Sequence, residues 1–319
     1  MTMHLPRKKI LVVTPRFPYP EAGACEQDRA ESIRQLKRLG HEIRVIGKIF
    51  DWQDTRAIKD YWHTRGVPVS LVHYRYHRVA NKERMKKLVF GIFHPWYFDG
   101  AAYEYRDPEI RRVLEMELER FQPDIVWFDY TYLWPLYHVA RAYHVGIIVR
   151  SINFEANHFL DEDGRTLVNY LRSIPKFVTE WITSKRADVV FSINPHEQRL
   201  YEEYGAKKAL NLPLRALSQK LGTHNPKHTG QLHVFFSGST YNVAHNRRAL
   251  EFILVELAPA MFKKYRDQFL FHLTGAKFPE DLQHRLGQNV KYDGFVEDMD
   301  AFLMNMDIAV VPSFFGAGM

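Results

Sequence analysis

"KKILVVTPRFPYPEAGACEQDRAESIRQLKRLGHEIRVIGK" occupies residues 8–48, and its rhythm decides the fold. An apolar run from Ile10 to Val13 ends at Pro15, the pattern of a buried strand. A loop follows. From Ala24 to Leu39 apolar side chains recur at Ala30, Ile33, Leu36 and Leu39, one face of a helix whose back is charged, and Gly40 ends it. "HEIRVIGK" is the next strand. Strands separated by helices imply a parallel sheet.

The alternation continues. Strands are predicted over 69–74, 123–130, 145–151 and 187–193, helices over 108–121, 166–187 and 194–205, and a last short strand over 207–213. Residues 1–217 thus read as one doubly wound, Rossmann-like α/β domain. "SQKLGTHNPKHTG" (218–230) is polar and aperiodic, and reads as a linker. The rhythm restarts in 231–319, with strands over 232–238, 269–275, 289–294 and 307–313 and helices over 245–264, 279–286 and 298–306. Four strands make an incomplete doubly wound domain, so the expectation is two Rossmann-like parallel-sheet domains, the second unfinished.

The 319 residues, 46% hydrophobic and 25% charged, suit a soluble globular chain with a core large enough to need no disulfide. The single cysteine, Cys25, excludes an intrachain disulfide and fits a reducing, cytoplasmic setting. No apolar run approaches the ~18 residues of a membrane span, and the N-terminal apolar run reads as a strand, not a leader. A formal charge of +7 admits anionic partners. The bases are scattered over both halves, so nucleic acid is not expected. Bases and aromatics do mix in "HRVANKERMKKLVFGIFHPWYFDG" (77–100). That segment either covers the first sheet or settles on an anionic membrane at the inner face.

Candidate functional residues lie where strands hand over to helices. Gly23, in the loop after the first strand, is a turn glycine or admits a ligand to the helix start. Arg150, Asn153, Glu155 and His158 crowd the loop "RSINFEANHF" at a strand's carboxyl end, where open sheets bind ligands. An arginine there would keep a buried carboxylate ionised. Ser237, Gly238 and Ser239 follow the first strand of the second domain and offer hydrogen bonds to a phosphate. Arg247 and Arg248, at the next helix start, attract an anion or are simply solvated. Asp298 and Asp300 form an Asp-x-Asp pair, but Asp298 stands where an N-cap belongs, so capping is the reading taken. His224 and His228 lack a third ligand candidate, and no metal is expected.

Two stretches, "FSGSTYNVAHNRRALEFILVELAPAM" and "NVKYDGFVEDMDAFLMNMDIAVVPSFFGAGM", resemble the retaining glycosyltransferases of family 4, which have the GT-B fold. The opening strand, glycine loop, helix and Gly-His strand resemble that family's N-terminal domain more weakly. The resemblance implies transfer of a sugar, with retention, from a nucleotide-sugar to a glycan or lipid-linked acceptor, in surface polysaccharide biosynthesis, with no cofactor and no metal. It implies Gly238 and Ser239 at the donor diphosphate, and Gly294, Phe295 and Val296 at the nucleobase. Ser313, Gly316 and Gly318 would start the donor loop, and Gly23 would face the reaction centre. Asn153 and Glu155 fall on a family asparagine–glutamate stretch, with Ile152 where its histidine is usual and His158 as the substitute. In the family the donor loop runs on into a lysine and a glutamate, so the chain is expected to be a C-terminally truncated fragment, inactive as it stands. A sugar-nucleotide epimerase of the same fold and a non-catalytic nucleotide-binding protein are the alternatives.

Overall fold

The computed structural model describes residues 6–19, 21, 24–76, 89–98, 100–215 and 230–314. The chain divides into two compact units, the first reaching Leu217 and the second starting at Ser218.

The first unit opens with β1 (Lys9–Thr14), α1 (Ala24–Arg38), β2 (Glu42–Ile49), α2 (Thr55–His63) and β3 (Val69–His73). It continues with α3 (Gly100–Glu104), α4 (Pro108–Phe121), β4 (Ile125–Phe128), α5 (Tyr137–Ala142) and β5 (Gly146–Arg150). It closes with α6 (Glu155–Asp163), α7 (Leu167–Arg186), β6 (Val189–Ser192), α8 (Pro195–Glu203) and β7 (Ala209–Asn211). The strands make one seven-stranded sheet in the order β3-β2-β1-β4-β5-β6-β7. Every pairing is parallel.

Alternation along the strands builds two cores. Leu11, Val13, Val126, Phe128, Ile147 and Val149 face one layer, with Ile110, Leu114 and Leu118 of α4. Ile10, Val12, Ile43 and Val45 face the other, with Ala30 and Ile33 of α1 and Ile58 and Trp62 of α2. A strand with apolar side chains on both faces must be covered on both, which gives the unit its three layers. Beside β1 the chain order reverses: β2 lies on one side and β4 on the other. The carboxyl ends of β1 and β4 therefore flank the crevice where such sheets take ligands.

The second unit holds β8 (Leu232–Thr240), α9 (Ala244–Phe252), α10 (Ala258–Tyr265), β9 (Phe269–Ala276), β10 (Val290–Gly294), α11 (Met299–Leu303) and β11 (Ile308–Ala309). Its sheet is four-stranded, parallel, in the order β10-β9-β8-β11. The helix expected over 245–264 is interrupted by a π-turn at Ile253–Leu257, and the one over 279–286 is a 3-10 turn, Glu280–Arg285.

Phe17 is fully buried and lies on Gly47, where an added Cβ would meet its ring at 2.4 Å. Gly47→Ala should destabilise the chain by about 1–3 kcal/mol through that overlap. Chemical denaturation of Gly47→Ala, Phe17→Ala and the double variant checks it. The double variant should lose less than the sum of the singles.

Candidate functional site

The crevice of the first sheet is lined by charge that the fold has buried. Arg150, at the end of β5, is 1% exposed. It donates to the carbonyls of Leu212 (2.6 Å) and Pro213 (3.2 Å), and its Nε lies 3.3 Å from Asp28 Oδ2. Asp28, on α1, also accepts from the amide (2.6 Å) and Nη2 (3.0 Å) of Arg215. Burial opposes the Asp28 carboxylate, but the hydrogen bonds and charge of Arg215 and the charge of Arg150 outweigh it and hold its pKa low. Burial, with repulsion from Arg215, lowers Arg150 to about 10. It remains a cation at neutral pH. The arginine thus does fix a buried carboxylate, but the partner is Asp28 rather than Glu155, and Arg150 is part of the scaffold.

The rest of "RSINFEANHF" is a helix start. Burial strips α6 of water at its N-terminus, and two amides there find carboxylates on other helices. The Phe154 amide donates to Glu197 (3.0 Å) and the Glu155 amide to Glu180 (3.1 Å). Glu180 also accepts from Tyr201 (2.6 Å), whose hydroxyl lies 2.8 Å from Ser151 Oγ, and Ser151 donates to the Asn153 carbonyl (2.8 Å). Burial raises Glu180 to about 8 and Glu197 to about 7. Carboxyl groups already fill this helix start, so no phosphate belongs there. Glu155 receives a hydrogen bond from Tyr130 and lies 3.8 Å from Lys176 Nζ. Asn153 is half-buried on the same loop. His158 Nε2 is 3.5 Å from Glu162, and its Nδ1 is buried without a hydrogen-bond partner among the described residues.

Two residues absent from the sequence reading stand out. Asp129, 2% exposed, follows β4, and its Oδ1 accepts from Trp127 Nε1 (2.8 Å). Its Oδ2 is buried without a hydrogen-bond partner among the described residues, as is Nε of Arg29 on α1, itself 5% exposed. Burial raises the Asp129 pKa against the pull of Arg29. Asp129, Tyr130 and Tyr132 leave β4 together, with the two tyrosine rings 4.4 Å apart. A donor and an acceptor, both dry and only partly satisfied, flank the crevice. The one signal in the sequence was an aspartate ending an otherwise apolar strand.

In the second unit, Ser237, Gly238 and Ser239 are not a loop before a helix. They belong to β8, which runs through a register shift to Thr240 opposite Ala276. Gly238 is buried under Tyr241, where a Cβ would meet the ring at 2.5 Å. Gly275, at φ +136°, would drive a Cβ to 1.7 Å from the Gly238 carbonyl. Both glycines let the two strand ends converge. Ser237 and Ser239 are exposed, and Asn246 Nδ2 donates to the Thr240 carbonyl (3.0 Å) and to Ser239 Oγ (3.3 Å). Arg247 turns to carboxylates, Glu251 (2.9 Å) and Asp281 (2.5 Å), in exposed surface pairs. Arg248 lies over the Phe314 ring, 5.1 Å from its centroid, at the edge of a cavity of about 450 Å³ that Phe252, Asp281 and Arg285 also line.

Gly294 ends β10 at φ +72°, a left-handed turn that suits glycine. Asp293 before it is held by His272 (2.8 Å) and Lys291 (2.6 Å). The turn presents Phe295, 78% exposed, with Val296 half-buried beside it. Asp298 caps α11 through the Ala301 amide (2.9 Å), as its position foretold. Ser313 is exposed. Gly23, Gly316, Gly318 and segment 77–88 lie outside the described residues. Among the described residues, no three His, Cys, Asp or Glu side chains gather as metal ligands, and no helix is long and apolar enough to cross a membrane.

Residues 231–319 match the family described as Glycosyl transferases group 1. No curated protein matches the chain. Solved structures share its fold. Sucrose-phosphate synthase from Thermosynechococcus elongatus aligns with a TM-score of 0.61 at 13% identity, over 97% of this chain and 76% of that one. Arabidopsis thaliana UGT89C1 complexed with UDP-L-rhamnose gives 0.56 at 13%, over 95% and 74%. A putative UDP-N-acetylglucosamine 2-epimerase from Listeria monocytogenes gives 0.50 at 11%, over 95% and 73%. These place the chain among α/β proteins of the GT-B fold, with two Rossmann-like units. The second of these units carries the glycosyl transferases group 1 match.

The raised carboxyls of Glu180 and Glu197 give a pH signature. A carboxyl whose folded pKa exceeds its unfolded one stabilises most below the unfolded value, and that stability is lost as pH rises through the folded value. Stability should therefore fall from about pH 4.5 to about pH 8, the value to which burial lifts Glu180. Glu180→Gln, which keeps the amide and tyrosine contacts without a charge, should flatten that fall. Melting temperature against pH for both proteins is the measurement.

Proposed function

We propose that the chain is a retaining glycosyltransferase that moves a sugar from a nucleotide-sugar donor to a glycan or lipid-linked acceptor, in surface polysaccharide biosynthesis. The observation that carries the reading is the family match over residues 231–319, on a sheet whose strand ends form a glycine-narrowed edge. The donor belongs to this unit. The Gly294 turn offers the exposed Phe295 ring to a nucleobase, and the converging ends of β8 and β9 approach the diphosphate. Gly316 and Gly318 continue the donor side beyond Ser313. The leaving diphosphate gains negative charge as the glycosidic bond breaks, and fixed donors and cations near it lower that barrier.

The acceptor belongs to the crevice of the first unit, with Gly23 in the loop after β1. Arg29 donates there and Asp129 accepts, the pairing a sugar hydroxyl needs. Glu155, Asn153 and His158 lie on the neighbouring loop. Asp28, Arg150, Glu180 and Glu197 hold that loop in place. No metal or cofactor enters this scheme.

The test is release of nucleoside diphosphate from a panel of UDP-, GDP- and dTDP-sugars, with and without acceptor glycans and lipid-linked sugars. Release that requires the acceptor supports transfer, and anomeric analysis of the product reads retention. Conversion of the sugar-nucleotide without any acceptor would mean an epimerase, whose fold this chain also shares. Phe295→Ala should raise the donor KM roughly 5- to 150-fold, the loss of one base–aromatic stack of about 1–3 kcal/mol, with kcat little changed. Asp129→Asn should instead act on the acceptor KM or on kcat.

A further inference from the structure

Helix α7 is built inside out. Its buried face is polar: Asn169, Ser173, Thr179, Glu180, Thr183 and Ser184 all point into the unit. Its outer face is apolar. Leu167 is 79% exposed, Leu171 61%, Ile174 51% and Trp181 52%. With Tyr170 and half-buried Val178 they recur at the spacing of one helical stripe, about 21 Å long at 1.5 Å per residue. A soluble helix normally shows the reverse. The stripe has company. The 3-10 turn Pro95–Phe98 packs against α7 and exposes Trp96, and the residues before it expose Ile92 and Phe93. Contiguous apolar surface of this kind marks an interaction site.

The charges around it choose the occupant. Glu180 is the only acid of α7, and it is buried. The exposed charges of the helix are all basic: Arg172, Lys185 and Arg186. At the preceding helix end, Asp161 pairs with Arg165 and Glu162 with His158. Asp163, at the end of α6, is exposed. Apolar stripe, tryptophans at its border and flanking cations are the composition that lies in a lipid headgroup layer. We propose that the outer face of α7, extended by residues 92–96, is a docking surface for an anionic lipid bilayer, lying in the interface without crossing it. This differs from the expectation of membrane contact through 77–100 by making α7 the principal element.

The experiment uses the full chain and phosphatidylcholine vesicles with and without phosphatidylglycerol. Binding to the anionic vesicles is expected, and Leu171→Glu/Ile174→Glu should reduce it at least about tenfold. Both positions are exposed, so the fold should survive, which circular dichroism checks. Arg172→Gln/Lys185→Gln should weaken binding severalfold on anionic vesicles and leave neutral ones unchanged. Bromine-labelled lipid should quench tryptophan emission in the unaltered chain, and Trp181→Phe should remove part of that quenching. Failure to sediment with anionic vesicles, or quenching unchanged in Trp181→Phe, overturns the proposal. Dimerisation in solution that the glutamate pair abolishes also overturns it, and assigns the face to a second copy. Vesicle binding needs neither donor nor acceptor, so its failure and that of the transferase reading are separately visible.

Discussion

Asp28 is the charge around which the first unit is arranged. It is fully buried, and three elements depend on it. Arg150 brings the end of β5, and Arg215 brings the chain that follows β7, to a carboxylate on α1. Arg150 in turn fixes the carbonyls of Leu212 and Pro213. Removing one member would leave the others charged and dry, a cost of about 3–5 kcal/mol in buried ion pairs. The same charge keeps Arg150 away from the loop 151–158, and that loop must then be held by other means. Glu180 and Glu197 supply them by capping α6 from two other helices.

This division of labour separates scaffold from candidate chemistry. The groups tied to other elements by several contacts, Asp28, Arg150 and Glu180, shape the crevice. Arg29 and Asp129, each with a buried atom lacking a hydrogen bond among the described residues, border it, as Arg150 and Glu197 do with one such atom each. Burying a polar atom without a partner costs free energy, so such atoms in a folded protein call for an explanation.

The architecture was legible in the sequence because parallel strands buried on both faces read as apolar runs. β1, β4, β5 and β8 were found that way, and the helices between them by their period. Helices α2, α3, α5 and α6 were not. All four have nine residues or fewer, and "NFEANHFLDED" reads as a polar loop until its capping carboxylates are seen in space. Ser237–Thr240 was read as a loop because polar residues end an apolar run, whereas the backbone ladder there simply continues past a register shift. The site was the less legible part. Asn153 and Glu155 were singled out from their place at a strand's end, and Gly294 from the resemblance. The partners of Arg150 and Arg247 were not, since Asp28 and Asp281 lie far off in sequence. The outward apolar face of α7 was present in its periodicity, but period alone does not say which face is inside.

The pairing of Asp28 with Arg215 also has a consequence for synthesis. The two are 187 residues apart, and the contact is among the last that the first unit can make. On the ribosome, β1, α1 and β2 emerge early, yet the carboxylate at their centre has no cation until β5 brings Arg150, and lacks the hydrogen bonds of Arg215 until the chain beyond β7 has cleared the exit tunnel. The unit therefore cannot be finished in installments. Its nascent form must wait as an open sheet, dependent on protection from aggregation, for nearly the whole time its own translation takes.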